Sequence, residues 1–167
     1  MDTTGDGIGD LPGIISKLDY IADLGVDAIW FSPLYPSPDV DFGYDVADYR
    51  GIDKKFGTME DFDLLLDEAH KRDLRIIMDL VLNHTSDQHP WFVEARKSKD
   101  NPYHDYYIWQ DPKENGKVPN NWAAIFGGSA WEYDEQVGQY YMHLFYPEQI
   151  DVNWRNPKLY QEMMDIF

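Results

Sequence analysis

At 167 residues the chain is long enough for a substantial core, and 43% apolar with 16% aromatic residues is a folded composition. Acidic residues outnumber basic ones 31 to 14, and the resulting charge of −17 argues against nucleic acid or an anionic membrane as a partner. No cysteine is present, which excludes disulfides, thiol catalysis and zinc–thiolate sites.

No apolar run approaches the ~20 residues that span a bilayer. No signal peptide is recognisable, so a cytoplasmic location is expected. Twelve Tyr, eight Phe and six Trp supply many flat faces, which suit sugar rings as well as a core.

The chain opens with DTTGDGIGD, residues 2–10. The spacing D-x-T-x-D-G-x-G-D parallels the first nine positions of a calcium loop. In that reading Asp2, Thr4, Asp6 and Asp10 offer side-chain oxygens and Ile8 its carbonyl. A complete EF-hand is excluded, because Gly13 stands where the bidentate Glu belongs. The alternative is an Asp/Gly-rich turn with Asp10 as the N-cap of the next helix.

LPGIISKLDYIADLG, residues 11–25, then predicts a helix with Ile14, Leu18, Ile21 and Leu24 on one face and Gly25 ending it. VDAIWFSPL reads as a short apolar strand. FGTMEDFDLLLDEAH predicts a helix opened by Thr58 and Asp61 in a capping box, with Phe62, Leu65, Leu66 and Ala69 inward. RIIMDLVLNH, residues 75–84, reads as a strand buried on both faces. Helices alternating with strands across short loops imply parallel strands under crossover helices.

Residues 85 to about 155 hold Pro, Asn, Gly and aromatics without helical period. An inserted, irregular, β-containing subdomain is expected there, since so long a structureless loop does not suit a compact domain. NPKLYQEMMDIF then starts a helix with Asn156 as N-cap and Pro157 at its first position. Polar residues gather after each strand. DFGYDVADY, residues 41–49, presents Asp41, Tyr44 and Asp45. DLVLNHTS, residues 79–86, presents Asp79, Asn83 and His84. Carboxylates, an imidazole and a stacking ring on one rim are what sugar recognition needs.

These segments, with GDGIGDLPGIISKLDYIADLGVDAIWFSP, HPWFVEARKSKDNPYHDYYIW, PNNWAAIFGGSAWEYDE and QYYMHLFYPEQIDVNW, make the chain resemble the α-amylase superfamily of glycoside hydrolases. The similarity is to its oligo-1,6-glucosidase and α-glucosidase branch. It implies an α/β fold, part of a (β/α)₈ TIM barrel with strands 2 and 3 and their helices, and an irregular B domain inserted after strand 3. The implied division is 1–84 barrel, 85–155 B domain and 156–167 the next barrel helix.

The resemblance further implies retaining, exo-acting hydrolysis of terminal α-linked glucose from α-gluco-oligosaccharides. Tyr44 corresponds to the ring stacking on that glucose, Asp41 to the carboxylate on its 4-hydroxyl and His84 to the group on its 6-hydroxyl. Asp45, Asp79 and Asn83 take supporting roles, and Asp2, Thr4, Asp6, Ile8 and Asp10 a structural Ca²⁺ site. Thr4 stands where Asn is commoner, and Ile150 and Val152 depart from the branch signature QPDLNW.

Retaining hydrolysis needs a nucleophile and an acid/base about 5 Å apart. In this family both follow later strands, beyond Phe167, so the expectation is a fragment that binds sugar without cleaving it. A trehalose synthase or sucrose isomerase type of transglucosidase shares these motifs. A non-catalytic relative of transporter heavy chains is the reading from another functional class. Linkage preference, substrate length and oligomeric state are not written in this stretch.

Overall fold

The computed structural model describes residues 1–166, so the last residue of the expected 156–167 helix segment lies outside it. The chain packs as two units, Met1–Pro36 with Arg50–Leu80, and Ser37–Tyr49 with the chain from Val81 onward. This partition reflects packing within the chain; the expected division at residues 84/85 and 155/156 refers to a larger barrel.

In the first unit Asp10 caps helix α1 (Leu11–Ile15), its carboxylate accepting from the Gly13 amide at 2.7 Å. The single helix expected over 11–25 is two: α1 and α2 (Leu18–Asp23). Ser16 Oγ donates to the Gly13 carbonyl at 2.7 Å, a local bond that competes with helix continuation at the break. Leu11 and Leu18 are fully buried, whereas Leu24 is exposed, a correction to the expected inward stripe. Gly25, at φ +79°, turns the chain out of α2 as expected.

Strand β1 (Ala28–Phe31) leads through a crossover to α3 (Met59–His70) and parallel strand β2 (Arg75–Met78), in register Ala28↔Arg75 to Phe31↔Met78. Thr58 and Asp61 form the capping box reciprocally, Asp61 N to Thr58 Oγ1 at 3.1 Å and Thr58 N to Asp61 Oδ2 at 2.9 Å. Leu65 and Ala69 of α3 close on Leu11, Leu18, Phe31, Leu34 and Leu74. Each buried leucine contributes about 2 kcal/mol by area.

The strand expected over 75–84 is shorter and single-faced. β2 ends at Met78; Ile76 and Met78 face the core while Arg75 and Ile77 are exposed. Alternation of period two turns one face of the pair to the helices and the other away from them. Asp79 therefore lies just past the strand, its carbonyl accepting from the Tyr35 hydroxyl at 3.0 Å.

The second unit is built on antiparallel pairing. β3 (His84–Ser86) pairs with β7 (Gln149–Asp151), bringing His84 opposite Asp151 and Ser86 opposite Gln149. β4 (Trp109–Gln110), β6 (Gln139–Met142) and β5 (Trp131–Asp134) form a three-stranded sheet in that order. Apart from His84 of β3, these strands all lie in the stretch where β structure was expected, beside helix and turns.

Helix α4 (Pro90–Ala95) packs Phe92 against Tyr107, Trp109 and Tyr141, with ring centroids 5.1, 5.8 and 5.3 Å away. His89 caps α4 by accepting from Trp91 N at 3.2 Å. Burial pushes this imidazole down to about 4, so it is neutral and able to accept. Helix α5 (Pro157–Met164) starts on Asn156, which accepts from Lys158 N at 2.9 Å, as the sequence predicts.

Candidate functional site: a rim loop closed on His84

Asp45 is fully buried, yet both of its carboxylate oxygens are hydrogen-bonded. It accepts from Ser37 Oγ at 2.8 Å, Val40 N at 2.9 Å and Asp41 N at 3.0 Å. Charge-assisted bonds of this kind offset the cost of burying the charge. They fold residues 37–45 around one centre. Between Asp41 and Tyr44 the chain reverses through two positive φ values, 49° at Phe42 and 94° at Gly43, closed by Tyr44 N to the Asp41 carbonyl at 2.9 Å. Consecutive left-handed residues are the mark of a type I′ turn, and glycine supplies the second without strain.

His84 opens β3 and is 3% exposed. Its Nε2 lies 3.1 Å from the Tyr44 carbonyl and its Nδ1 3.2 Å from Asn83 Nδ2. Burial lowers its pKa against the opposing pull of the Tyr44 carbonyl, Asp41 and Asp45, which favours the neutral ring. A carbonyl can only accept, so these partners assign the proton to Nε2 and leave Nδ1 to accept from Asn83.

The side chain of Gln149 joins the two segments. It is fully buried, and its Nε2 donates to Asp41 Oδ2 at 3.0 Å and lies 3.1 Å from His84 Nε2. Tyr146 N donates to its Oε1 at 3.0 Å, which fixes the orientation of the amide. With the His84 proton on Nε2, the directional bond of Gln149 is the one to Asp41. The Phe145 ring sits 5.1 Å from the His84 ring, and Phe126 adds a second face 6.0 Å from Phe145.

Asp41, Tyr44, Asp45, Asn83 and His84 thus share one hydrogen-bonded cluster. Asp79 belongs to the first unit. Gln149 and Phe145 were not among the expected site residues. Both lie in the HLFYPEQIDVNW stretch, and the available signal was its match to the family motif, which includes Gln149.

Beneath the cluster, Asp151 Oδ1 accepts from Asn83 Nδ2 at 3.1 Å and Leu144 N at 3.2 Å. Burial pushes this carboxyl up to about 6, with those two bonds opposing it.

The N-terminal loop holds its carboxylates differently from a closed cation shell. Asp2 accepts from Gly5 N at 2.6 Å and Gly7 N at 2.8 Å, and Asp6 from Ile8 N at 2.8 Å. Asp10 accepts from Thr3 N at 2.6 Å and Gly13 N at 2.7 Å. These amides, Gly7 foremost for Asp2 and Thr3 foremost for Asp10, lower both carboxyls. Among the described residues no three acidic or imidazole groups are gathered to hold a metal. The donor chemistry, all oxygen, fits a hard cation; the side-chain arrangement is that of amide-capped turns. No helix among the described residues is long and apolar enough to cross a membrane.

The Asp151 carboxyl carries a pH consequence. Its folded value lies above its unfolded one, so the folded state binds the extra proton between about pH 4 and 6. This group therefore stabilises most below pH 4, and that contribution is lost as pH rises through 6. Asp151→Asn keeps an acceptor for Leu144 and Asn83 while removing the buried charge. Its unfolding free energy relative to wild type is expected to rise by about 1–3 kcal/mol from pH 4 to pH 8. Parallel stability profiles for the two proteins, from urea denaturation across that range, would refute the assignment.

The sequence pattern of one family, alpha amylase, catalytic domain, matches residues 1–167. The chain is 64% identical over 165 residues to an oligo-1,6-glucosidase of Heyndrickxia coagulans, covering 99% of this chain and 30% of that protein. Two solved structures share its fold. Trehalose-6-phosphate hydrolase of Bacillus licheniformis superposes with a TM-score of 0.97 at 53% identity, over 99% of this chain and 30% of that one. Isomaltulose synthase of Erwinia rhapontici NX5 superposes at 0.96 and 57%, over 99% and 29%. The chain spans about 30% of the length of the relatives it matches. With the pattern matched along its full length, the chain belongs to the α-amylase catalytic-domain family.

Proposed function

We propose that this chain supplies the glucose-gripping rim of a retaining, exo-acting α-glucosidase of the oligo-1,6-glucosidase type. The observation that carries the reading is the Gln149 bridge, which holds Asp41 and the His84 ring within one buried amide's reach. In this reading Tyr44 stacks on the terminal glucose, Asp41 accepts from its 4-hydroxyl and His84 meets its 6-hydroxyl. Gln149 uses one oxygen of Asp41; Oδ1 makes no hydrogen bond among the described residues and is the acceptor left for a sugar.

The nucleophile and acid/base are assigned to other parts of the family's catalytic domain, and no acid of residues 1–167 is given either role. In the same reading residues 1–84 carry strands 2 and 3 of a barrel, 85–155 form its B domain, and 156–167 begin the next helix. The protein acts in the cytoplasm on α-gluco-oligosaccharides. The likeness to isomaltulose synthase supports a second reading, glucosyl transfer in place of hydrolysis at the same rim.

Titration of the chain with glucose and isomaltose, followed by NMR, tests the rim. The His84 ring and Tyr44 signals are expected to shift saturably. Asp41→Ala should weaken binding about 10- to 100-fold, the worth of a hydrogen bond to a charged group. Saturable shifts confined to other residues, or affinity unchanged in Asp41→Ala, would remove the proposal.

We also propose that the N-terminal loop binds Ca²⁺ through Asp2, Thr4, Asp6, Asp10 and the Ile8 carbonyl, with Asp2 and Asp6 giving up amide bonds to do so. Calcium at 100 times its Kd should stabilise the chain by about 2.7 kcal/mol, and Asp6→Ala should abolish the gain. An unchanged melting temperature up to about 10 mM calcium, beyond the range of weak calcium modules, would end the idea.

A further inference from the structure

A cleft of about 460 Å³ opens along the three-stranded sheet of the second unit, within the range of small-molecule sites. Gln110 of β4, Trp131 of β5 and Met142 of β6 line it, with Asn120, Trp122 and Arg155. None of these residues belongs to the Asp41–His84–Gln149 cluster.

One side chain, Asn120, holds the Trp131 indole and the Trp122 backbone. Asn120 Oδ1 accepts from Trp131 Nε1 at 2.9 Å and from Trp122 N at 2.9 Å. Trp131 is thereby buried and satisfied, and with Met142 gives the cleft an apolar wall. Trp122 is held at the mouth with 57% of its surface in water.

The polar groups around that ring share one property. Trp122 Nε1, Asn120 Nδ2, the Gln110 amide and the Arg155 guanidinium make no hydrogen bond or ion pair among the described residues. Four sets of unspent N–H donors therefore face one concave surface that also carries a flat apolar face.

A pyranose matches that combination. Its axial C–H face stacks on an indole, while its ring and hydroxyl oxygens accept from amide and guanidinium donors. An aliphatic side chain would leave the donors unmet, and a bare inorganic anion would use Arg155 but not the ring face. We propose that this cleft is a second saccharide site, binding one or two rings of a neutral oligosaccharide on Trp122 with Asn120, Gln110 and Arg155 as donors. Such a site raises the local concentration of oligosaccharide near the chain without contacting the reacting bond.

The test is titration of the chain with isomaltose and maltotriose, following the indole N–H signals. The Trp122 signal is expected to shift saturably with a Kd in the millimolar range. Trp122→Ala and Arg155→Ala should each weaken this binding at least about fivefold, while Asp41→Ala leaves it intact. Arg155 is exposed and unpaired, so its variant reports on the site even if Trp122→Ala were to disturb the fold. The proposal is overturned by no saturable shift up to about 100 mM sugar, or by affinity unchanged in Arg155→Ala. Loss in Asp41→Ala alone, or binding of sugar phosphates without neutral sugars, overturns it equally.

Discussion

The second unit's functional cluster depends on one buried carboxylate. Asp45 gathers Ser37, Val40 and the Asp41 amide onto its two oxygens, and every later contact is placed by that collection. Without it, only the Tyr44 N to Asp41 carbonyl bond would hold the exposed Phe42 in a left-handed conformation and turn the Tyr44 carbonyl toward His84. The next residues continue the attachment: Val46 accepts from Ser86 N at 2.9 Å, and the Tyr49 hydroxyl donates to the carbonyls of Val81 and His84. A loop of ordinary composition is thus sewn to strand β3 at several points. A buried charge is tolerable there because both carboxylate oxygens are hydrogen-bonded.

The cluster combines rigidity on the protein side with spare capacity on the ligand side. Gln149 has its oxygen pinned by Tyr146 and its nitrogen committed to Asp41. His84 has both ring nitrogens engaged and is kept neutral by burial. Asp41 and Tyr44 are half-buried, and with His84 they are the groups to which the proposal assigns sugar contacts. Prearranged groups of this kind lose little entropy on binding.

What was legible in the sequence was what short-range chemistry decides. The Thr58–Asp61 capping box, the Asn156–Pro157 start of α5 and the Asp10 cap each depend on atoms within three residues of one another. Long-range placement was harder to read. RIIMDLVLNH looked like one strand because its apolar run is continuous, but Asp79 interrupts it and its two ends join different sheets. Leu24 fitted a helical stripe, and a break at Ser16–Lys17 rotated it out to water. Gln149 reaches Asp41 across 108 residues, a distance at which periodicity and capping carry no information. The rim residues are legible chiefly through the family resemblance, with spacing as support.

Hydrogen exchange of the Asp45→Ala protein tests the central claim most directly, because it reads each amide separately. If Asp45 organises the rim, the Val40, Asp41 and Tyr44 amides exchange at least tenfold faster than in wild type, while those of Thr85, Ile150 and the β4–β6–β5 sheet keep their protection. Rim amides as protected as before, or a uniform loss across the whole unit, would contradict the account.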